Sequence, residues 1–295
     1  MRDRISVRIG KIEFKNPVFS ASGIWGYGDE ISSLVELDRL GGMVTKTLTL
    51  EPRTGNVLPR IQELPTGLLN SIGLENVGIA AFIEDKLPVV AKLGTAVVVS
   101  IAGDDEDAFA ELSARLAAAE GYVGVEINLS CPNVQKGGID HGRNPVAVER
   151  ITAIVKRALP DKAVMVKLTP NVTSIADVAS AAEAGGADAV TAINTLLGAD
   201  FDLATGKPVF ARVSAGYSGP GILPVALEKV WETSRAVSIP VIGVGGIGSI
   251  DDARKFFLAG ASAVQIGTAL FTRPRLAEEI VAALEANPQW VTGGA

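Results

Sequence analysis

The sequence predicts an α/β fold built as a single (β/α)8 TIM barrel, and three observations predict it. Short apolar runs alternate with amphipathic segments eight times along the 295 residues. Most of the apolar runs are rich in Val and Ile and apolar on both faces, as parallel strands covered on both sides must be. No linker, low-complexity tract, short repeat or shift of composition divides the chain, so residues 1–295 are expected to form one domain.

The elements follow in order. A charged start, Met1–Arg4, leads into a strand-like segment. The apolar run Pro17–Ser22 is paired with an expected helix over Asp29–Leu40, Met43–Lys46 with Asn76–Leu93, and Ala96–Ala102 with Asp105–Glu120. Val123–Leu129 precedes Pro145–Leu159, Ala163–Leu168 precedes Ser174–Ala184, and Ala189–Asn194 precedes Leu223–Val237. The last two pairs are Val241–Gly245 with Ser249–Ala259 and Ala263–Thr268 with Pro274–Ala286. Helix starts are marked by the Ser249 cap with acids in the first turn, and by Pro145 and Pro274 at first-turn positions. Gly94, Gly121 and Gly260 stand where helices should stop. An open doubly wound sheet is the main structural rival, but Pro17–Gly28 lacks the G-x-G-x-x-G turn expected after its first strand.

Three strand-to-helix connections are long. Thr47–Glu75 and Leu196–Ile222 are rich in Gly and Pro and are expected to carry small hairpins; Ser130–Asn144 is polar with a Gly-Gly pair. Long loops in compact domains are usually functional, and in a barrel the loops after strands form the catalytic face.

Composition narrows the chemistry. A net charge of −6 lacks the basic footprint of a nucleic-acid partner. No apolar run approaches the roughly 18 residues of a membrane span, and the N-terminus has no signal-peptide core. One Cys and one His exclude an internal disulfide, a zinc site of several Cys and His ligands, and an iron–sulfur cluster held by this chain alone. A cytoplasmic enzyme is the expectation.

The strand ends are polar where a structural barrel has no need of polarity: Ser22, Lys46-Thr47, Ser100, Glu126 and Asn128, Lys167, Asn194-Thr195, Gly245-Gly246 and Gly267-Thr268. A purely structural account is mutual pairing, for example Glu126 with Lys167, since buried Lys and Glu are usually paired. Taken as a set they point to function. Gly245-Gly246 and Gly267-Thr268 each lead into a helix after the seventh and eighth strands, a common phosphate position in barrels. That signal suits a phosphorylated sugar as well as FMN. Cys131, in Asn128-Leu129-Ser130-Cys131-Pro132-Asn133, lies just past a strand end. A lone cysteine is usually a small buried hydrophobe; polar neighbours and a glycine-bearing loop favour an exposed thiol able to act as base or acid. His141, in the same loop, is expected to be a solvated residue.

These residues resemble the dihydroorotate dehydrogenase family over nearly the whole chain. The strongest matches are Asn128-Leu129-Ser130-Cys131-Pro132-Asn133 and Val166-Lys167-Leu168-Thr169-Pro170-Asn171. Supporting matches are Ala21-Ser22-Gly23, Asn70-Ser71-Ile72-Gly73-Leu74, Asn194-Thr195, Ser218-Gly219-Pro220, Gly245-Gly246-Ile247 and Gly267-Thr268. The resemblance implies oxidation of dihydroorotate to orotate in pyrimidine synthesis, with Cys131 as the base and one FMN. It implies FMN contacts at Ser22, Lys46, Thr47, Ser100, Asn128, Lys167, Ile193, Gly219, Gly245, Gly246, Gly267 and Thr268. It implies substrate contacts at Lys46, Asn70, Ser71, Ile72, Gly73, Leu74, Asn128, Asn133, Asn194 and Thr195. Asparagine suits a flat, amide-rich ring because it both donates and accepts. Lys46 suits the substrate carboxylate, and Lys167 the negative charge gained by a reduced flavin. No metal is expected. Ser100 departs from the Asn that many members carry near the flavin, and it reaches less far.

The membrane-bound, quinone-using class resembles a longer chain with a serine base. Two soluble cysteine classes remain: a fumarate-using homodimer, class 1A, and class 1B, a heterotetramer on a homodimer core. In class 1B a partner subunit carries FAD and a 2Fe–2S cluster and passes electrons to NAD. The segment Asn133–Pro145, with its Gly-Gly pair and Gly-x-Asn-Pro ending, resembles class 1B. Rivals outside this assignment are a dihydropyrimidine dehydrogenase-like flavin barrel, a non-redox barrel for a phosphorylated sugar, and a non-catalytic partner-binding barrel.

Overall fold

Alternation decides the architecture. In the computed structural model, which describes residues 4–129 and 141–292, eight short parallel strands close into a barrel. They are β1 Val18–Ser20, β2 Gly42–Val44, β3 Ala96–Ile101, β4 Gly124–Asn128, β5 Ala163–Leu168, β6 Ala189–Ala192, β7 Val241–Val244 and β8 Ala263–Ile266. Each pairs with the next in sequence, and β8 closes on β1 through Val264 opposite Val18. All eight fall within the apolar runs expected of them, give or take a residue at an end.

Side chains on these strands alternate between the barrel interior and the helix layer. On β5, Val164, Val166 and Leu168 join the outer core, whereas Ala163 and Met165 face inward. The same parity sends Lys167 inward. Phe19, Val44, Val98, Met165, Ala189, Ile242 and Ala263 make the apolar lower interior. Further along the strands the interior turns polar: Ser100, Glu126, Thr191 and Gln265 are all fully buried.

The lower end is plugged. The strand-like N-terminal segment is a hairpin, Val7–Ile9 against Ile12–Phe14, and its Ile9 and Phe14 enter the lower interior cluster. The Phe14 and Phe19 rings stand 5.0 Å apart and tilted, an arrangement aromatic pairs favour.

Helices surround the barrel at Glu106–Ala117, Pro145–Ala158, Ile175–Ala184, Leu223–Ala236, Ile250–Leu258 and Leu276–Ala286. Asp105, Asn144, Ser174 and Ser249 cap four of them by accepting first-turn backbone N–H bonds. Gly94, Gly121 and Gly260, expected as stops, all take positive φ.

Two elements differ from expectation. Asp29–Leu40 is not a helix; it forms turns and a short 3-10 stretch at Leu37–Arg39. The Ser32 hydroxyl donates to the Asp29 carbonyl, competing for a helical acceptor, and the Asp29 carboxylate is drawn off to Lys86 at 2.9 Å. The second expected helix spans Ile79–Val90 but opens into a π-turn over Phe82–Lys86. Pro88 has no N–H to give the Glu84 carbonyl, and its ring crowds that carbonyl, so the wider turn relieves both.

The two long Gly/Pro-rich connections do carry hairpins, and the hairpins combine. Leu196–Gly198, Ala215–Ser218, Gly67–Asn70 and Ile61–Leu64 form one antiparallel sheet in that order. Gly216 sits opposite Asn70, so the insertion after β2 is bonded to the insertion after β6. No described helix is long and apolar enough to cross a membrane.

Candidate active site

The carboxyl ends of the strands bring most of the expected polar residues to one mouth. Ser22, past β1, donates its hydroxyl to the Thr45 carbonyl at 2.8 Å and lies 3.2 Å from the Thr47 hydroxyl. Thr47 also meets Ser100 at 2.8 Å and accepts from the Asn128 amide at 3.4 Å. Asn128 in turn accepts from the Asn194 amide at 3.4 Å. A continuous chain of hydroxyls and amides thus crosses the mouth from β1 to β6. Ser100 has no accessible surface. It stands behind Thr47, with its hydroxyl 2.8 Å from that of Thr47.

Lys167 ends the inward row of β5. It is buried, and its ammonium lies 3.5 Å from Glu126 and donates to Gln265 at 3.3 Å. Glu126 accepts from Gln265 at 2.6 Å and from Thr191 at 3.0 Å. The pairing expected on structural grounds is therefore present. It does not displace Lys167 from the mouth, because Lys167 sits between Asn128 on β4 and Thr191 on β6.

Lys46 is half-buried just past β2, 3.5 Å from Glu75. Arg60 reaches the same carboxylate at 3.3 Å. The Lys46 charge, with Arg60 adding to it against some desolvation, holds the Glu75 carboxyl below its usual value. Glu75 and Arg60 were not foreseen; charges inside a long loop carry no period that marks them.

Asn70 to Leu74 leave the insertion sheet as a tight loop. Asn70 donates to the Gly216 carbonyl at 3.3 Å. Asn56 holds the Ser71 carbonyl at 2.9 Å, and its backbone N–H holds that of Ile72 at 2.9 Å. Gly73 and Leu74 both take positive φ, at 75° and 54°. Leu74 is the one described non-glycine residue to do so, a conformation uncommon outside Gly, Asn and Asp. Asn194 folds its own side chain onto the Thr195 N–H at 2.8 Å. Asn171, just past β5, ties Thr195 and Leu197 together by donating to the Thr195 carbonyl and accepting from the Leu197 N–H, both at 3.0 Å. Cys131 and Asn133 lie outside the described residues. His141 is half-buried and donates to the Asp104 carbonyl at 3.0 Å, so it is anchored where a solvated residue was expected.

The far side of the mouth suits a phosphorylated flavin in part through open space. A Cβ on Gly267 would meet nothing nearer than Ala21 at 3.7 Å, which leaves that backbone face open to a ligand. Thr268 donates to Ser218 at 2.8 Å. Gly245 and Gly246 serve packing as well: a Cβ on Gly246 would stand 2.7 Å from the Leu223 nitrogen, at the start of the helix Leu223–Ala236. Gly219 takes φ 103° against Gly67, and Ile193, buried after β6, follows a cis peptide. Hydroxyls, amides, an inward lysine and glycine-lined backbone together offer donors and close backbone approach to a phosphorylated, ring-bearing ligand.

Comparison with known proteins follows the same line. The family model for dihydroorotate dehydrogenase matches residues 4–287. A protein of Trichlorobacter lovleyi is 49% identical over 99% of this chain and 94% of its own length. One from Pelobacter propionicus is 48% identical over 97% and 93%, and one from Solidesulfovibrio magneticus 50% over 93% and 90%. All three are named dihydroorotate dehydrogenase B (NAD(+)), catalytic subunit. With nearly the whole chain matched and the polar mouth in place, this protein belongs to the dihydroorotate dehydrogenase family.

Proposed function

We propose that this chain oxidises (S)-dihydroorotate to orotate in pyrimidine biosynthesis, as the catalytic subunit of an NAD-linked dihydroorotate dehydrogenase. The observation that carries the reading is the row Thr47–Asn128–Asn194 crossing the mouth beside Lys167, in a chain about half identical to relatives of that name. FMN, one per chain, supplies the hydride acceptor when bound. Ser22, Thr47, Asn128, Lys167, Ile193 and the glycines 219, 245, 246 and 267 with Thr268 would hold it. Ser100 would act through Thr47.

The rest of the chemistry belongs to the chain. Asn70, Asn128, Asn133 and Asn194 with Thr195 address the amide edges of the ring, each able to donate and accept. The loop Ser71–Leu74 offers backbone groups to the substrate. Lys46 exchanges part of its attraction to Glu75 for the substrate carboxylate. Cys131 takes the proton from the ring carbon beside the carbonyl while a hydride leaves the neighbouring carbon. The two electrons leave through a partner subunit holding FAD and a 2Fe–2S cluster, in a cytoplasmic heterotetramer built on a homodimer of this chain. The whole of residues 1–295 works as one flavin-binding unit.

Anaerobic titration of the flavin-loaded protein with dihydroorotate tests the reading. Flavin absorbance should bleach with dihydroorotate and not with dihydrouracil. Cys131→Ala should keep its flavin and lose most of the bleaching; near-normal reduction in stopped flow removes Cys131 from the role of base. With the native complex, NAD should restore the oxidised spectrum faster than fumarate or a quinone. Preference for fumarate would move the enzyme to the homodimeric class.

A further inference from the structure

Glu126 lies inside the barrel with no accessible surface. A carboxylate taken from water into such a place is unfavourable unless its oxygens are met. One of them is: Oε2 accepts from Gln265 at 2.6 Å and from Thr191 at 3.0 Å. The other, Oε1, has no hydrogen-bond partner among the described residues. What faces it is the Lys167 ammonium, 3.5 Å away. Gln265 closes the triangle, donating to Glu126 and accepting from Lys167 at 3.3 Å. Glu126 is thus clamped through one oxygen, and the open one is held toward a lysine at the catalytic mouth.

Strand parity makes this a built arrangement. Glu126, Thr191 and Gln265 sit on β4, β6 and β8, each flanked in sequence by residues that face the outer core: Val125 and Ile127, Val190 and Ala192, Val264 and Ile266. Three inward polar side chains from alternate strands meet under Lys167 from a fourth. Apolar residues would fill that layer equally well and without the desolvation penalty. The lysine is the group that gains from it.

We propose that Glu126, anchored by Gln265 and Thr191, is a positioning residue that sets the reduction potential of the bound flavin by partly cancelling the charge of Lys167. This rests on the proposed function, in which Lys167 serves the flavin. An isolated buried ammonium pulls strongly on negative charge that develops nearby, whereas an ammonium with a carboxylate behind it presents a weaker, dipolar field. A flavin that is reduced too favourably would hold its electrons against the next carrier. Glu126 offsets that pull and leaves the electrons transferable.

The test is the two-electron midpoint potential of the flavin in the full chain. Glu126→Gln keeps the shape and an acceptor for Gln265 and Thr191 but removes the charge. It should favour the reduced flavin about tenfold, roughly 30 mV for a two-electron couple, and slow reoxidation while dihydroorotate-driven reduction is retained. In a Lys167→Met background the same substitution should leave the potential unchanged. A Glu126→Gln potential equal to wild type, or a shift that persists without Lys167, overturns the proposal. If Glu126→Gln does not fold, Gln265→Met carries the test, because it releases both the carboxylate and the lysine; a flavin potential equal to wild type again overturns it. A wild-type protein that binds no flavin, or whose flavin dihydroorotate does not reduce, counts against the proposed function itself. A wild type that is reduced beside variants of unchanged potential counts against Glu126 alone.

Discussion

The Thr47 hydroxyl meets three partners, Ser22, Ser100 and Asn128, at 3.2, 2.8 and 3.4 Å. The shortest of these runs to the residue that has no surface. Ser100 therefore fixes the Thr47 rotamer, and Thr47 presents the mouth with a set orientation. Ser100→Ala should cost about 1 kcal/mol, the usual net worth of a buried neutral hydrogen bond. Urea unfolding should show it, with flavin content at saturation unchanged. Ser100→Asn should be worse. Its larger side chain enters a closed space, and overpacking a filled interior costs about 1–3 kcal/mol. A Ser100→Asn protein as stable as wild type would mean that the space behind Thr47 is not filled.

Helix ends show how much of an element its own sequence decides. Ser249 begins the helix Ile250–Leu258 by accepting from the Asp252 N–H at 3.1 Å, while its hydroxyl donates to the Asp252 carboxylate at 2.8 Å. Burial pushes that carboxyl up, but Lys255, the Ser249 hydroxyl and the Gly248 N–H together outweigh it, and the net movement is down from 3.8. A depressed folded value contributes stability above the unfolded value, and that contribution is lost as pH falls through the folded one. Ser249→Ala should thus cost about 1 kcal/mol at pH 7, and the deficit should shrink as pH falls below 3.8. Urea midpoints measured for both proteins across that range check it; a deficit that stays constant means the carboxylate bond contributes nothing. Caps, glycine stops and two-sided apolar strands act within a few residues, so they were legible, as were Lys167, Asn128 and Asn194 at strand ends. Asp29–Leu40 had the spacing of a helix, yet its acid is held by Lys86 from a distant segment. Glu75 and Arg60 at Lys46, and the union of two hairpins into one sheet, depend on contacts between distant parts of the chain. Local pattern carries no trace of those. Gln265 was within reach: it is a lone polar residue at an inward position of an apolar strand.

At the scale of the whole molecule the barrel separates its tasks along its axis. Stability collects at the amino end, where the hairpin Val7–Phe14 drives Ile9 and Phe14 into the apolar lower interior. The polar mouth lies at the carboxyl end, where Asn128 and Lys167 close their strands and Ser22 and Asn194 follow theirs. Between them lies the layer of Ser100, Glu126, Thr191 and Gln265, closed to solvent. Barrels share this division, since side chains inside them pack in layers while strand ends and the loops that follow them build the mouth. It leads to a dissociation that can be measured. Phe14 is 1% exposed and packs its ring, tilted, against Phe19 of β1. Its truncation leaves a cavity that the surrounding strands, bonded on both sides, have little freedom to fill. Phe14→Ala should cost about 3–5 kcal/mol, seen as an earlier urea midpoint. The molecules that remain folded should bind flavin and substrate as wild type does, because the polar layer stands between the cavity and the mouth. A raised KM for dihydroorotate per bound flavin in Phe14→Ala would show instead that strain from the plug travels through that layer. The Glu126 clamp, which joins β4, β6 and β8 within it, would then be the first place where the strain is felt.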